Sequence, residues 1–590
     1  MNRSILFRLI PLAVSAALPF AAAAQNLDPT VVVDRNYEGK LMEVHKPSLK
    51  MQVPDSVTRF DLDFDYSVFD NPYKGSYEFS PYTVKMHPAS SALAPKKLYL
   101  RAGAGYPLRP VFDLVWSPSF KKGFRMDVYA LHRSYVGNYR SFSPSAEPQS
   151  GTVKIDRWRS DDGSVRTWSG YDFSTRAGLD GSYDWKKGTA VFDVSYFGLA
   201  SDDRQRRRGY DALDVKAGVC SVPSDGPHFL YDVTASYRFA NDKAKYRAGN
   251  SYVLDEHLFG AEASLGWAFA GGHRMLFDFA LDVAAYSGGS TDAAAGNFRI
   301  IPHYMFVKGR WNLDLGLRLS MIASQENAAG MFTSRDQIVY PDVTVSFAAI
   351  PAAMSLYAKA TGGSSLNTYA RVLEENRHAD LAFARGGGAV LDNTVERLSA
   401  MIGMEGRIGM QFSYDLRAGY SNYGNAMLDA VVLEAEPQDG SLKYLPGLGY
   451  SSYRKCFAQA ELCWKNESIR LDGLVNYAHV WGLDRASGLF APASLTGDVA
   501  FEYNWNRRIF AGVDCAFSTA RRGGLLYPSG ELYGAVLPGY ADLGLSLEVA
   551  LTRSFSLWAR GENLLNMTVQ RNPLYAEQGI GFTLGISLNL

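Results

Sequence analysis

From about Leu98 to its last residue this chain repeats segments of about ten residues in which apolar and polar side chains alternate. Phe277, Phe279, Leu281, Val283 and Ala285 alternate with Asp278, Ala280, Asp282 and Ala284. Trp311, Leu313, Leu315, Leu317, Leu319 and Met321 alternate with Asn312, Asp314, Gly316, Arg318 and Ser320, and the pattern returns at Leu543–Leu551 and Phe582–Leu590. Successive side chains of a strand point to opposite faces, so each segment is a ribbon with one greasy and one polar face. About ten residues is also the length a tilted strand needs to cross a membrane.

The connections alternate too. Tight turns fall at Lys186–Gly188, Ala270–Gly272, Lys308–Arg310, Ile350–Ala352, Arg407–Gly409, Asn466–Glu467, Asn506–Arg508 and Thr552–Ser554. Longer polar stretches lie near 136–165, 201–227, 287–297, 324–337, 363–394, 424–451, 482–494, 520–540 and 564–577. A further turn placed at Asn241–Asp242 gives about 22 crossings with both ends on one side. The expected fold is all-β: a transmembrane antiparallel β-barrel of about 22 strands, with short periplasmic turns and long extracellular loops.

A ring of that size has a lumen too wide for side chains to fill, so its inner face is wet and its greasy face must meet lipid. Closure also gives every backbone N–H and C=O a partner, which hydrocarbon demands. Trp185, Tyr196, Trp464, Tyr477, Trp481, Tyr503 and Trp505 sit near strand ends and suit interfacial girdles. Residues 1–24 read as an export signal, with Arg3 and Arg8 before an apolar run and Ala21–Ala24 as the cleavage site. The expected location is the outer membrane. With 60 basic and 60 acidic residues, charge gives no reason to expect a nucleic-acid partner. The nine histidines show no ligand spacing, the four cysteines no metal knuckle, and no nucleophile or phosphate-loop motif is present, so neither metal, cofactor nor enzymatic activity is expected.

The stretch Arg560-Gly561-Glu562-Asn563-Leu564-Leu565-Asn566, followed by Gly579–Leu590, resembles the ending of TonB-dependent receptors, the energised outer-membrane importers. The resemblance covers 98–590 and implies uptake of a solute. In that family a globular plug fills the lumen. Here the segment 25–97 is shorter, carries prolines at 29, 47, 54, 72, 81, 88 and 95, and lacks the periodicity of such a plug. The lumen must nevertheless be obstructed: by 25–97 folding back, by loops dipping inward, or by a separate plug protein. Phe64, Tyr66, Phe69, Tyr73 and Tyr77 are the candidate occluding aromatics. Thr30, Val31, Val32 and Val33 resemble the β-forming peptide that recruits a TonB-type energy transducer by strand addition. Arg204, Arg206, Arg207 and Arg208 form a basic cluster, expected in an extracellular loop, that suits lipopolysaccharide phosphates or another anion. The alternative to transport is a structural or assembly role, with the lumen shut and a surface lipoprotein among the partners.

Overall fold

The computed structural model describes residues 96–590, except 121, 141–151, 155–166, 204–205, 223–225, 247–250, 289–292, 326–338, 352, 380–390, 392 and 436–441, together with Phe60–Asp61 and His87–Pro88. The export signal, Thr30–Val33 and the aromatics Phe64, Tyr66, Phe69, Tyr73 and Tyr77 lie outside the described residues. The compact unit Ala94–Leu590 is a closed antiparallel barrel of 22 strands. The last strand, Gly581–Asn589, closes the ring on the first, Leu98–Tyr106, in the register Phe582↔Tyr106 to Asn589↔Tyr99.

The seam is built around one indole. Trp558 faces inward, 4% exposed, with Arg101 stacked on its ring at 4.1 Å. Gly103 and Gly585 lie beneath the ring, where a Cβ on either would collide with it. The glycine-rich last strand is therefore a flat bed for a tryptophan that seals the join.

Alternation follows burial throughout. On the strand Trp311–Gln325 the outward Leu315, Leu317 and Met321 are exposed, while inward Arg318 pairs with Asp342 at 2.6 Å. Inward Asp282 pairs with Arg299 at 2.8 Å, and His303 bridges Asp278 and Asp314. Charges on the inner face thus neutralise one another across neighbouring strands, and the outer face is left to lipid. Trp464, Tyr477, Trp481, Tyr503 and Trp505 are exposed outward near strand ends, as interfacial girdles require, whereas Tyr196 is exposed at the middle of Gly188–Asp202. Cys456 and Cys515 lie on the outward face and Cys463 on the inward face, all of them free thiols. Periplasmic turns are tight, and Gly271, Gly272, Gly309 and Gly409 supply the positive φ they need.

Three expectations need correction. Residues 201–227 are not one long loop: Arg206–Ser221 is a membrane-crossing strand. Nor is there a turn at Asn241–Asp242, because both lie inside the continuous strand His228–Tyr246. In each case polar residues that look like loop are satisfied inside the barrel, where Arg208 binds Asp242 and Arg238 binds Asp214. The long stretch 424–451 is also largely strand: Phe412–Ala435 and Leu442–Lys465 run 24 residues each and rise beyond the membrane.

Candidate functional site

Loops from the second half of the barrel fold inward over its extracellular mouth. The segment after the strand Met354–Ser365 enters the lumen and forms the helix Tyr369–Glu375. Thr368 starts the helix, its hydroxyl accepting the Arg371 N–H, and the Tyr369 N–H donates to Glu256 Oε1 at 2.7 Å. Tyr369, Val372 and Leu373 fall at i, i+3 and i+4, so one helix face is apolar. That face packs on inward residues of the wall, among them Leu199, Tyr210, Leu254, Ala284 and Tyr286. The rings of Tyr286 and Tyr369 meet at 4.6 Å.

A second apolar cluster joins other loops to this lid. Phe490 and Leu525 are fully buried against Leu433, Leu537 and Leu574. They come from the loop after Trp481, the hairpin Arg521–Leu526 and Leu532–Leu537, the tall strand Phe412–Ala435 and the closing loop. Asn563, of the receptor-like ending, organises that closing loop: its amide donates to the carbonyls of Met567 at 2.9 Å and Gln578 at 3.1 Å.

Charged side chains clasp the lid to the wall. Arg208 meets Asp242 through two bonds of 2.8 and 2.9 Å, both side chains being at most 1% exposed, and donates to Ala379 O at 2.9 Å and Arg377 O at 3.2 Å. Arg206 donates to the His378 and Ala379 carbonyls. Arg377 reaches Asp172 at 2.7 Å and Glu577 at 3.0 Å. Asp429 receives Asn376 at 3.2 Å and Arg521 at 2.7 Å. The His378 ring stacks on Tyr575 at 4.1 Å, and the Tyr575 hydroxyl donates to Asp203. Burial, then the guanidinium groups of Arg377, Arg206 and Arg208, hold the His378 imidazole well below the usual histidine range.

Beneath the helix the lumen holds a cavity of about 360 Å³, lined by Asp214, Arg238, Asp282, Asn297, Arg299 and Thr368. Its charges are balanced, with Arg238 on Asp214 and Arg299 on Asp282. Leu258, Phe259, Val283, Ala284 and Leu366 also line it, so the wall offers hydrogen bonds of both senses beside an apolar share.

The structure divides the predicted basic cluster. Arg206 and Arg208 lie on a strand rather than in a loop, face inward and clasp the lid; Arg207 points outward with its side chain 68% exposed, and Arg204 lies outside the described residues. Sequence reasoning missed Asp172, Asp242, Arg377, His378, Asp429 and Glu577. Their partners lie tens to hundreds of positions away, so no local spacing could mark them.

No protein-family model matches this chain, and no curated protein matches it. Solved structures do. The FrpB iron transporter from Neisseria meningitidis (F5-1 variant) aligns with a TM-score of 0.61 at 9% identity, over 84% of this chain and 82% of that one. The siderophore receptor PiuA from Acinetobacter baumannii gives 0.58 at 10% identity, over 84% and 82%. The outer membrane transporter YddB from Escherichia coli gives 0.54 at 9% identity, over 84% and 81%. At such identities the likeness is one of fold, and the covered 84% is the share that the unit Ala94–Leu590 makes of the chain. With its closed ring, lipid-facing exterior and charged lumen, the protein is an outer-membrane β-barrel of the TonB-dependent-receptor type of fold.

Proposed function

We propose that the protein takes a hydrophilic solute across the outer membrane and that the lid at its extracellular mouth is the outer gate. The observation that carries this reading is the way the lid is held. Its clasps join loops to wall through ion pairs and backbone carbonyls, contacts that a polar ligand or water can replace, and a cavity lined by the ion pairs Arg238–Asp214 and Arg299–Asp282 beside apolar residues lies beneath. Structurally similar proteins, an iron transporter and a siderophore receptor, support uptake as the class of activity. In this reading Thr30–Val33 contacts a TonB-type transducer, and residues 25–97, including Phe64, Tyr66, Phe69, Tyr73 and Tyr77, obstruct the lumen from the periplasmic side.

Planar-bilayer conductance tests the gate. Replacing 366–391 by a short Gly-Ser link should raise conductance, and removing 25–97 as well should raise it further. No rise from either change, in a correctly folded barrel, refutes both occlusions. Deleting Thr30–Val33 should stop energised uptake while leaving conductance unchanged.

A second reading, a scaffold with a permanently shut lumen, draws support from the burial of Phe490, Leu525 and Val372 in the lid. Affinity purification from envelopes separates the two: stoichiometric recovery of a surface lipoprotein or separate plug favours the scaffold, and a solitary barrel favours transport.

A further inference from the structure

The clasps differ in which side carries the cation. Arg208 and Arg206 belong to the wall, and each keeps a wall carboxylate besides the lid carbonyls it binds: Asp242 at 2.8 Å and Asp203 at 3.7 Å. Lifting the lid leaves both of those pairs in place. Arg377 reverses the arrangement, because here the cation rides on the lid and its carboxylates stay behind. Its guanidinium donates through Nη1 to Asp172, of the strand Thr167–Trp185, at 2.7 Å, and through Nη2 to Glu577, of the closing loop, at 3.0 Å.

Opening therefore vacates a cleft already shaped around one guanidinium. The Asp172 side chain is 9% exposed and has no other ion-pair partner among the described residues. Glu577 retains only Arg571, at 3.9 Å, and Arg571 is shared with Asp542 at 3.6 Å, so without the lid the cleft carries an excess of negative charge. The Tyr139 hydroxyl lies within electrostatic reach of Asp172, Arg377 and Glu577. Tyr139 is 6% exposed, its ring stacks on Trp168 at 4.4 Å, and its hydroxyl has no hydrogen-bond partner among the described residues. Sheltered carboxylates beside an unsatisfied hydroxyl are costly to leave without a cation.

We propose that this cleft recognises a guanidinium group on the incoming solute and that Arg377 is a built-in stand-in for that group. The inference rests on the gate reading above and names the chemistry of its ligand. A guanidinium is planar, stays charged and carries donors in a fixed fork, so it can give one N–H to each carboxylate as Arg377 does. Solute and lid compete for the same two carboxylates. A solute that binds only the lid-open state shifts the gate toward opening by its affinity for that state, and in its absence Arg377 returns to the cleft.

The full chain in detergent is titrated by calorimetry with arginine amide and with citrulline amide, which keeps the shape but replaces the guanidinium by a neutral urea. Arginine amide should bind Arg377→Ala at least tenfold more tightly than the wild type, whose cleft is filled, and citrulline amide should bind neither. Adding Asp172→Asn to Arg377→Ala should lower the affinity for arginine amide at least tenfold, and adding Tyr139→Phe about threefold. Heat-modifiable migration on gels reports folding. Should Arg377→Ala not fold, the variant with 366–391 replaced by a Gly-Ser link keeps Asp172, Glu577 and Tyr139 and should show the same gain. Three results overturn the proposal: a folded variant lacking Arg377 that binds arginine amide no better than the wild type, equal binding of citrulline amide, or an affinity unmoved by Asp172→Asn. Each of them leaves the gate standing, since binding is read here without transport, whereas the gate itself falls with an unchanged conductance of the lid deletion.

Discussion

Replacing Arg208 by Ala should unlatch the lid. In the closed state Asp242 is 1% exposed and its carboxylate is held by two Arg208 bonds of 2.8 and 2.9 Å. Without the guanidinium, a buried carboxylate loses its partner, and the Arg377 and Ala379 carbonyls lose a donor. Breaking a buried pair from one side costs about 3–5 kcal/mol. In the open state water hydrates Asp242, so the cost falls almost wholly on closure. At about 1.4 kcal/mol per factor of ten, even the low end raises the open population roughly a hundredfold.

An introduced thiol reports that population. Ala379 is fully buried in the lid, so Ala379→Cys, in a background with the four native cysteines replaced by Ala, should react with an impermeant maleimide only when the lid opens. Arg208→Ala should increase the labelling rate about a hundredfold. Adding Asp242→Asn should reverse part of the increase, because the stranded charge is then gone. A change under threefold in a folded barrel, or faster labelling in the double variant, would falsify this account of the clasp.

The same reporter should show pH dependence. His378 is held neutral in the closed lid, with its pKa depressed below the unfolded value near 6.5, so closure is fully stable above that pH and loses stability as pH falls. Labelling should therefore rise by up to about tenfold per pH unit below about 6.5, relative to an exposed-thiol control, and a His378→Asn variant should lack the rise. On the lipid face, Leu315→Arg puts a charge near the middle of the apolar band and should cost about 2–4 kcal/mol in urea unfolding from liposomes, against about 0–1 for Trp311→Arg at the interface; equal costs would contradict the assigned membrane position. Within the lid, Phe490→Ala removes a fully buried ring at a cost of about 3–5 kcal/mol. Extracellular protease should then cut the loop after Trp481 faster, with no change in heat-modifiable migration of the barrel.

Most of the wall was legible from sequence because lipid enforces the alternation on every crossing. It failed where another medium replaced lipid or water. Arg206 and Arg208 read as loop because a charged inward position is normally hydrated, yet here loop carbonyls and Asp242 take the place of water. Asp242 reads as part of a turn for the same reason. The helix Tyr369–Glu375 rests on properties local to the sequence, the Thr368 cap and the i, i+3, i+4 spacing of Tyr369, Val372 and Leu373. What that helix packs against was not legible. Leu199, Leu254 and Tyr286 come from strands over 80 residues earlier, and only ring closure brings them to it.

The distances in sequence between clasp partners set an order of assembly. Tyr575 and Asp203 are 372 positions apart, Arg377 and Glu577 are 200, and Arg208 and its Ala379 carbonyl are 171. Contacts this remote are entropically expensive until the intervening strands have paired. The lid contacts are therefore expected to form late, after the strands between the partners have paired.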